Sequence, residues 1–372
     1  MKKIGITGQD GFVGKHLYNT LNLYKDEFEI IPFSRNYFND PPQLDRFAAQ
    51  CDVIIHLAAM NRHESPDYIY ETNLNLVRSL IASLERSNPE CHVLFSSSSQ
   101  EEKDNPYGRS KKEGRQLLMR WAEKTGANLT GMIIPNVFGP FGKPFYNSVV
   151  ATFCYQVSRG ITPAIYTDGD LKLIYVGELV EEIIKKIRQG GTEPDFVVPH
   201  TAEVKVSRIL QLLNQFKAIY QDKGVIPSLN NRFELNLFNS FRCYMDIANH
   251  FPVRFTPHTD PRGSFVEVIR LNTGGQVSFS TTVPEVTRGN HFHTRKIERF
   301  AVIKGEALIQ LRKIGTSEII EFRLSGDAPG YVDMPVWYTH NIKNTGREDL
   351  YTVFWINEFY DPEDPDTFFE NV

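Results

Sequence analysis

The chain has 372 residues, 41% of them hydrophobic and 23% charged, an ordinary balance for a globular protein and a length that suits two domains better than one core. A formal net charge of −4 argues against nucleic acid as the main partner, since phosphate binding normally shows as a basic excess. No long apolar segment is present, so no membrane partner is expected.

The opening MKKIGITGQDGFVG turns glycine-rich instead of continuing as the apolar core of a signal peptide, so a cytoplasmic location is expected. Cys51, Cys91, Cys154 and Cys243 are scattered without a CxxC pair and read as free, mostly buried thiols.

Residues 2–7 read as a short buried strand, and Thr7-Gly8-Gln9-Asp10-Gly11-Phe12-Val13-Gly14 leads from it into a helix. Glycines there let the backbone approach a pyrophosphate closely, and the N–H groups of the helix start turn partial positive charge toward it. A plain tight turn would use the same glycines; the position directly after the first strand favours the phosphate cradle. A second strand, 28–33, ends in Ser34-Arg35, where an acid would hold the ribose 2′-hydroxyl of NAD. Ser and Arg suit the 2′-phosphate of NADP, so NADPH is the expected reductant, the alternative being that Arg35 is a solvated loop charge.

Residues 52–59 form a near-continuous apolar run of the kind found in parallel sheets, closing on Leu57-Ala58-Ala59. A helix over 66–85 carries Asn73, and a strand over 92–95 runs into the serines 96–99. Asp104-Asn105-Pro106 supplies a cap and a first-turn proline for the helix that carries Tyr107 and Lys111. Those two side chains share a face. An ammonium beside a phenol favours the phenolate, and a tyrosine so tuned can pass a proton to a ketone oxygen while hydride arrives at carbon. On its own the YxxxK spacing is common and usually structural.

Together the glycine turn, His56-Leu57-Ala58-Ala59, Asn73, the serine run, YxxxK and Pro135-Asn136-Val137-Phe138-Gly139-Pro140 resemble the extended short-chain dehydrogenase/reductase family, over roughly residues 1–240. The resemblance implies an α/β Rossmann-type doubly wound parallel sheet, with Tyr107, Lys111 and a serine as catalytic residues. Ser98, third serine of the FSSS segment, is the candidate, also toward substrate; only eight residues separate it from Tyr107, fewer than is usual in that family. The cofactor residues it implies are those of the glycine turn, Ser34, Arg35, Leu57, Ala58, Ala59, Asn73, Pro135, Asn136, Tyr107 and Lys111.

Beyond Gly139 the pattern suits a substrate lobe, with amphipathic stretches at 177–188 and 207–220. Asn147 reads either as a donor to a sugar or diphosphate or as a helix cap. Residues 224–255 look like a packed connection, and the boundary is set at 1–245 for the reductase domain and 246–372 for the second.

In the second domain short strands at 265–270, 276–282, 300–304, 307–313, 319–324 and 351–356 predict a double-sheet barrel or jelly roll. His291 and His293 alternate along a strand, Glu298 precedes an apolar run, and His340 follows much later. Imidazoles plus one carboxylate suit zinc, iron or manganese, although HxH pairs also arise by chance. With Gly305, Gly330, Pro335 and Asn344 the pattern resembles the all-β cupins, except that Trp337 stands where cupins usually have glycine. The run Asp260-Pro261-Arg262-Gly263-Ser264-Phe265, with Gln276 and Arg288-Gly289-Asn290-His291, is similar to cupin epimerases of nucleotide 4-keto sugars.

In this order the two domains resemble the bifunctional enzymes of capsule and O-antigen synthesis, on the segments DNPYG, YNSVVATFCY, GNHFH, PVWYTHNI and YDPEDPDTFF. That resemblance implies C3 epimerisation of a UDP-2-acetamido-2,6-dideoxy-4-hexulose in the cupin, with zinc, then C4 reduction by NADPH. The product is a UDP-N-acetyl-L-talosamine-type 6-deoxy sugar on the route to UDP-N-acetyl-L-fucosamine. Tyr338, beside His340, is the candidate proton donor, with plain packing as the alternative. A second reading makes the cupin a non-catalytic binding or dimerisation module. Exposed edges of such barrels pair readily, so a homodimer is expected.

Overall fold

Strand β1 (Lys2–Thr7) pairs in parallel with both β2 (Phe28–Ile31) and β3 (Val53–His56), and β4 (His92–Ser98) and β5 (Leu129–Ile134) follow on the far side of β3. The computed structural model describes residues 1–261 and 263–372. Two short strands, β6 (Asn136–Phe138) and β7 (Asp170–Tyr175), precede β8 (Glu193–Val197), which closes a six-stranded sheet of order β2-β1-β3-β4-β5-β8. A last strand, β9 (Ala202–Lys205), joins β6 and β7 in a small separate sheet.

Alternation explains the layers. Ile54, Val93 and Phe95 point into one apolar cluster with Leu80 and Leu118, whereas Val53, Ile55 and Leu94 point into another with Leu17 and Ile183. Helices α1 (Phe12–Leu21), α2 (Pro41–Gln50), α3 (Pro66–Ser87) and α4 (Pro106–Thr125) follow, the last three starting at the side-chain caps Asp40, Ser65 and Asn105. The Asn105 side chain accepts from Gly108 N at 2.8 Å at the head of α4, and Gly126, at φ +78, ends it. The strand predicted over 28–33 stops at Ile31, because Arg35–Asn39 winds into a 3-10 turn.

The second unit holds Val150–Asp168 and Val206–Val372, the first Met1–Val149 and Gly169–Lys205. Its strands are β10 (Val253–Arg254), β11 (His258–Asp260), β12 (Gly263–Phe265), β13 (Gln276–Thr282), β14 (Thr287–Phe292), β15 (Glu298–Lys304), β16 (Glu306–Lys313), β17 (Ile319–Ser325), β18 (Gly330–Met334), β19 (Tyr338–Asn344), β20 (Leu350–Ile356) and β21 (Phe368–Phe369). Two five-stranded antiparallel sheets, β10-β18-β15-β20-β13 and β17-β16-β19-β14-β21, share one core that includes Val302, Ile309, Leu311, Val332 and Ile342. The all-β second domain is therefore as expected.

One reading needs correction. The strand predicted over 265–270 ends at Phe265, and the chain beyond makes a lone bridge from Leu271 to Ile226 instead of a ladder. Arg262, within the epimerase-like opening, lies outside the described residues. The segment 206–245, assigned from sequence to the first domain, packs with the second unit. The reason is a sealed charge network. Arg299 on β15 forms a two-point pair with Asp333 on β18, at 2.7 and 2.9 Å, and both side chains are buried. Tyr220 Oη donates to Asp333 at 2.7 Å, Arg299 donates to Gly224 O at 3.0 Å, and Arg242 donates to Met334 O at 2.8 Å. The Arg299 guanidinium also lies 3.6 Å from the Tyr331 ring centroid.

Candidate active site and candidate metal centre

In the first unit the carboxyl ends of β1, β3, β4 and β5 bring Thr7, His56, Ser98 and Ile134 to one edge of the sheet. Strand order turns around between β1 and β3, where ligands of open parallel sheets usually sit. The glycine turn fits a pyrophosphate there. Gly8, at φ +78, lies so close to the next strand's exit that a Cβ would meet Ala58 N at 2.8 Å. At Gly14 it would come 2.2 Å from Gly8 O, so α1 starts hard against the turn. Phe12 and Val13 form its first turn. Thr7 Oγ1 pairs with His56 Nδ1 at 2.8 Å, which locks the two strand ends together.

Asn73 braces this edge. Its Oδ1 accepts from Met60 N at 2.6 Å and its Nδ2 donates to Met60 O and Ser110 Oγ, both at 3.0 Å. Ser110 Oγ in turn donates to Tyr107 O at 2.7 Å, so the loop beyond Leu57-Ala58-Ala59 is tied to the helix of Tyr107. Ser34 and Arg35 are exposed at the end of the β2 segment, and Asn136, which follows Pro135, donates to Lys172 O at 3.2 Å. Asn147 is exposed in a turn ahead of the helix Val149–Ser158.

Lys111 and Tyr107 do share a face of α4, with Lys111 Nζ 5.7 Å from the Tyr107 ring centroid. The ammonium is aimed at Ser96 O, at 2.7 Å, and not at the phenol. Burial pushes the Lys111 amine down to about 7 and pushes the Tyr107 phenol up. The upward push favours the protonated phenol, the form that donates to a ketone, whereas an ammonium beside it favours the phenolate. Ser98 Oγ accepts from Gln100 N at 3.2 Å, so it also caps the 3-10 turn Ser99–Glu102.

In the second unit one sheet supplies three imidazoles and the facing sheet a carboxylate. His291 lies on β14, His293 just after it, His340 on β19, and Glu298 opens β15. One ligand atom from each lies within 4.8 Å of all the others. Glu298 Oε2 is 3.1 Å from His293 Nε2, 3.0 Å from His340 Nε2 and 3.8 Å from His291 Nε2. Burial disfavours charge on Glu298, yet the imidazoles outweigh it and hold the carboxyl well below its usual range.

The outer nitrogens are fixed by backbone: His293 Nδ1 lies 2.6 Å from Asp366 O, and His340 Nδ1 lies 3.1 Å from Tyr338 O. Each Nδ1–H donating to a carbonyl turns Nε2 inward toward Glu298, the nitrogen that would take up a divalent ion on giving up its proton. The residues present fit such an ion. A bulge between Gly289 and His291, with Asn290 at φ +57, sets His291 opposite His340.

Trp337 adopts φ +62, the left-handed conformation for which the cupin glycine would be suited. Its N–H donates to His293 O at 2.8 Å and its ring stacks on Phe292, offsetting the strain. Tyr338 packs its ring on the shared core, and burial pushes its phenol up.

Sequence reasoning missed Asp366. Its carboxylate accepts from Thr294 N, Arg295 N and Lys296 N at 3.1, 3.0 and 2.9 Å and from Thr294 Oγ1 at 2.6 Å, which clamps the loop after His293. The one available signal was the acidic run YDPEDPD, whose target lies far away in the chain. Asp366→Ala is expected to weaken divalent metal binding by about 10–100-fold, read by competition with a chromophoric chelator. Unchanged affinity would show that the clamp does not position His293.

Residues 4–198 match the family described as NAD dependent epimerase/dehydratase, and residues 258–368 match the polysaccharide biosynthesis C-terminal domain. Among curated proteins, the UDP-2-acetamido-2,6-beta-L-arabino-hexul-4-ose reductase of Pseudomonas aeruginosa is 32% identical over 370 residues, 98% of each chain. The crystal structure of capsular polysaccharide assembling protein CapF from Staphylococcus aureus superposes over 100% of both chains with TM-score 0.63 and 36% identity. RMD from Pseudomonas aeruginosa, solved with NADPH, matches 59% of this chain and 83% of its own with TM-score 0.53 and 21% identity, a likeness of fold.

Proposed function

Through its N-terminal half the chain belongs to the NAD dependent epimerase/dehydratase family, and from that membership we propose that it reduces the C4 ketone of a UDP-2-acetamido-2,6-dideoxy-4-hexulose with NADPH after inverting C3. The observation that carries the reading is the presence in one chain of two separate chemistries. One is Tyr107 with Lys111 at the carboxyl edge of a parallel sheet; the other is a three-histidine, one-glutamate cluster inside an antiparallel sandwich.

In the reductase unit, NADPH supplies hydride when bound in the cradle of Gly8, Gly11 and Gly14, with Arg35 toward the 2′-phosphate. Tyr107 Oη gives its proton to the C4 oxygen, Ser98 orients that oxygen, and Lys111 adds positive charge beside the phenol. In the second unit, His291, His293, Glu298 and His340 would hold a divalent ion such as zinc, which supplies Lewis-acid polarisation of the ketone when bound. The ketone acidifies the C3 proton, a base at this site takes that proton, and Tyr338 gives its own to the opposite face of the resulting enolate. Inversion alone is reversible. Reduction removes the ketone and with it the acidity, so the two steps in succession fix the product.

The names of the Pseudomonas reductase and of CapF support the UDP-sugar ketone and its use in a surface polysaccharide. NADPH absorbance is expected to fall only when the UDP-linked 4-keto sugar is added. No substrate-dependent loss would overturn the reductase half.

A further inference from the structure

The short connection from Ser98 to Tyr107 is built around a buried charge. Glu101, in the turn Ser99–Glu102, accepts from Arg115 Nε at 2.9 Å and from Arg115 Nη2 at 2.7 Å. Both side chains are nearly sealed, at 7% and 9% exposure. Ser97 Oγ donates to the same carboxylate, and Arg115 continues to Pro194 O at 3.2 Å and to the Asp195 carboxylate.

Arg115 lies one turn beyond Lys111 on α4. Turn and helix also meet backbone to backbone, since a Cβ at Gly108 would come 2.0 Å from Gln100 O. One carboxylate therefore ties the serine end of β4 to the helix that carries the catalytic pair. Lys111 Nζ is held on Ser96 O and the Glu101 carboxylate on Ser97 Oγ, so ammonium and anion are anchored on neighbouring residues of β4. The geometry points to Glu101, clamped by Arg115, as a positioning residue of the reductase site whose anion acts on the Lys111 ammonium. The inference rests on the reductase reading above.

The surroundings of Lys111 leave Glu101 in that role. From β4 it meets Ser96 O and Oγ and the Phe95 ring, whose centroid is 5.0 Å from Nζ. On its own helix it faces the neutral Tyr107 phenol. From β3 it faces His56, which burial pushes down to about 3 and so keeps neutral at working pH. Burial lowers the Lys111 amine, and Glu101 opposes that fall. The sign follows: the ammonium is present below the amine's pKa, and loss of the anion moves that pKa, with the loss of charge, to lower pH.

The test follows the 15Nζ signal of Lys111 and kcat/KM for ketone reduction, at saturating NADPH, across pH in the full chain. Glu101→Gln keeps the shape and removes the charge. It is expected to move the Lys111 titration and the high-pH limb of the rate profile downward together by about one pH unit. Glu101→Asp keeps the charge but shortens the reach to Arg115. It is expected to leave the Lys111 titration in place and lower kcat about 10-fold through misplacement.

Should Glu101→Gln lose rate with the Lys111 titration unmoved, Glu101 is scaffold only and the inference fails. If Glu101→Gln does not fold, Glu101→Asp decides: a Lys111 titration displaced as the charge is retained, or an unaltered kcat, overturns it. Failure of the chain to reduce the ketone would sink the reductase reading but leave the Lys111 titration as an independent readout of the Glu101 charge.

Discussion

Replacing Tyr107 by Phe is expected to slow ketone reduction by about 10²–10⁴-fold while C3 exchange continues, so the epimerised ketone accumulates. The change removes one hydroxyl from a half-buried ring and leaves the packing of α4 intact. Burial holds that phenol protonated, and Lys111, occupied with Ser96 O, does not draw the proton off. A neutral donor is what reduction requires, because the C4 oxygen gains a proton as the carbon gains hydride. NADPH consumption gives the rate and NMR of the sugar identifies what accumulates. A Tyr107→Phe chain that reduces the ketone at the wild-type rate would assign the proton to another group.

The largest loss of stability is expected from Asp333→Ala, about 3–5 kcal/mol, because it strands the Arg299 guanidinium in the core. Asp333 also accepts from Tyr220, so the same change leaves that buried hydroxyl without its acceptor. Denaturant unfolding of the full chain measures the cost. Replacing Arg299 and Asp333 together by Met and Leu is expected to cost less than Asp333→Ala alone, since no charge is then left buried without a partner. Equal losses would mean that the charge pair is not what the core depends on. A fragment of residues 246–372 lacks Tyr220, Gly224 and Arg242 and is expected not to hold its fold. Work on the second reaction in isolation needs the preceding helices as well.

Much of the first unit was legible because its signals are local. The glycine turn follows its strand directly, and Asn105-Pro106 caps α4 just ahead of Tyr107. The histidine–glutamate cluster was legible for a similar reason: His291 and His293 sit two apart at the end of β14, His340 lies on the strand paired with it, and Glu298 opens a strand of the facing sheet. Asp366 was not legible, since it reaches His293 from 73 residues away and only the return of β21 onto β14 brings it there. Strand β18 is buried at all five positions and therefore shows no alternation to read. The stretch 207–220 announced an apolar face, but periodicity says which face is buried and not against which unit; the helix Arg232–Arg242 lies in the stretch read as a packed connection. The turn of Lys111 Nζ toward Ser96 O was not legible, because the spacing on a helix fixes a shared face and not the atom toward which Nζ turns.

Two reaction centres on one chain, acting in order on one ketone, can be tested in a single tube. The UDP-linked 4-keto sugar is incubated with the full chain and NADPH in D2O, and the reduced product is analysed by NMR. Deuterium at C3 with inverted configuration at that carbon is expected. A reduced product that keeps hydrogen and the original configuration at C3 would contradict the scheme and leave the histidine-rich sandwich without a catalytic part in it.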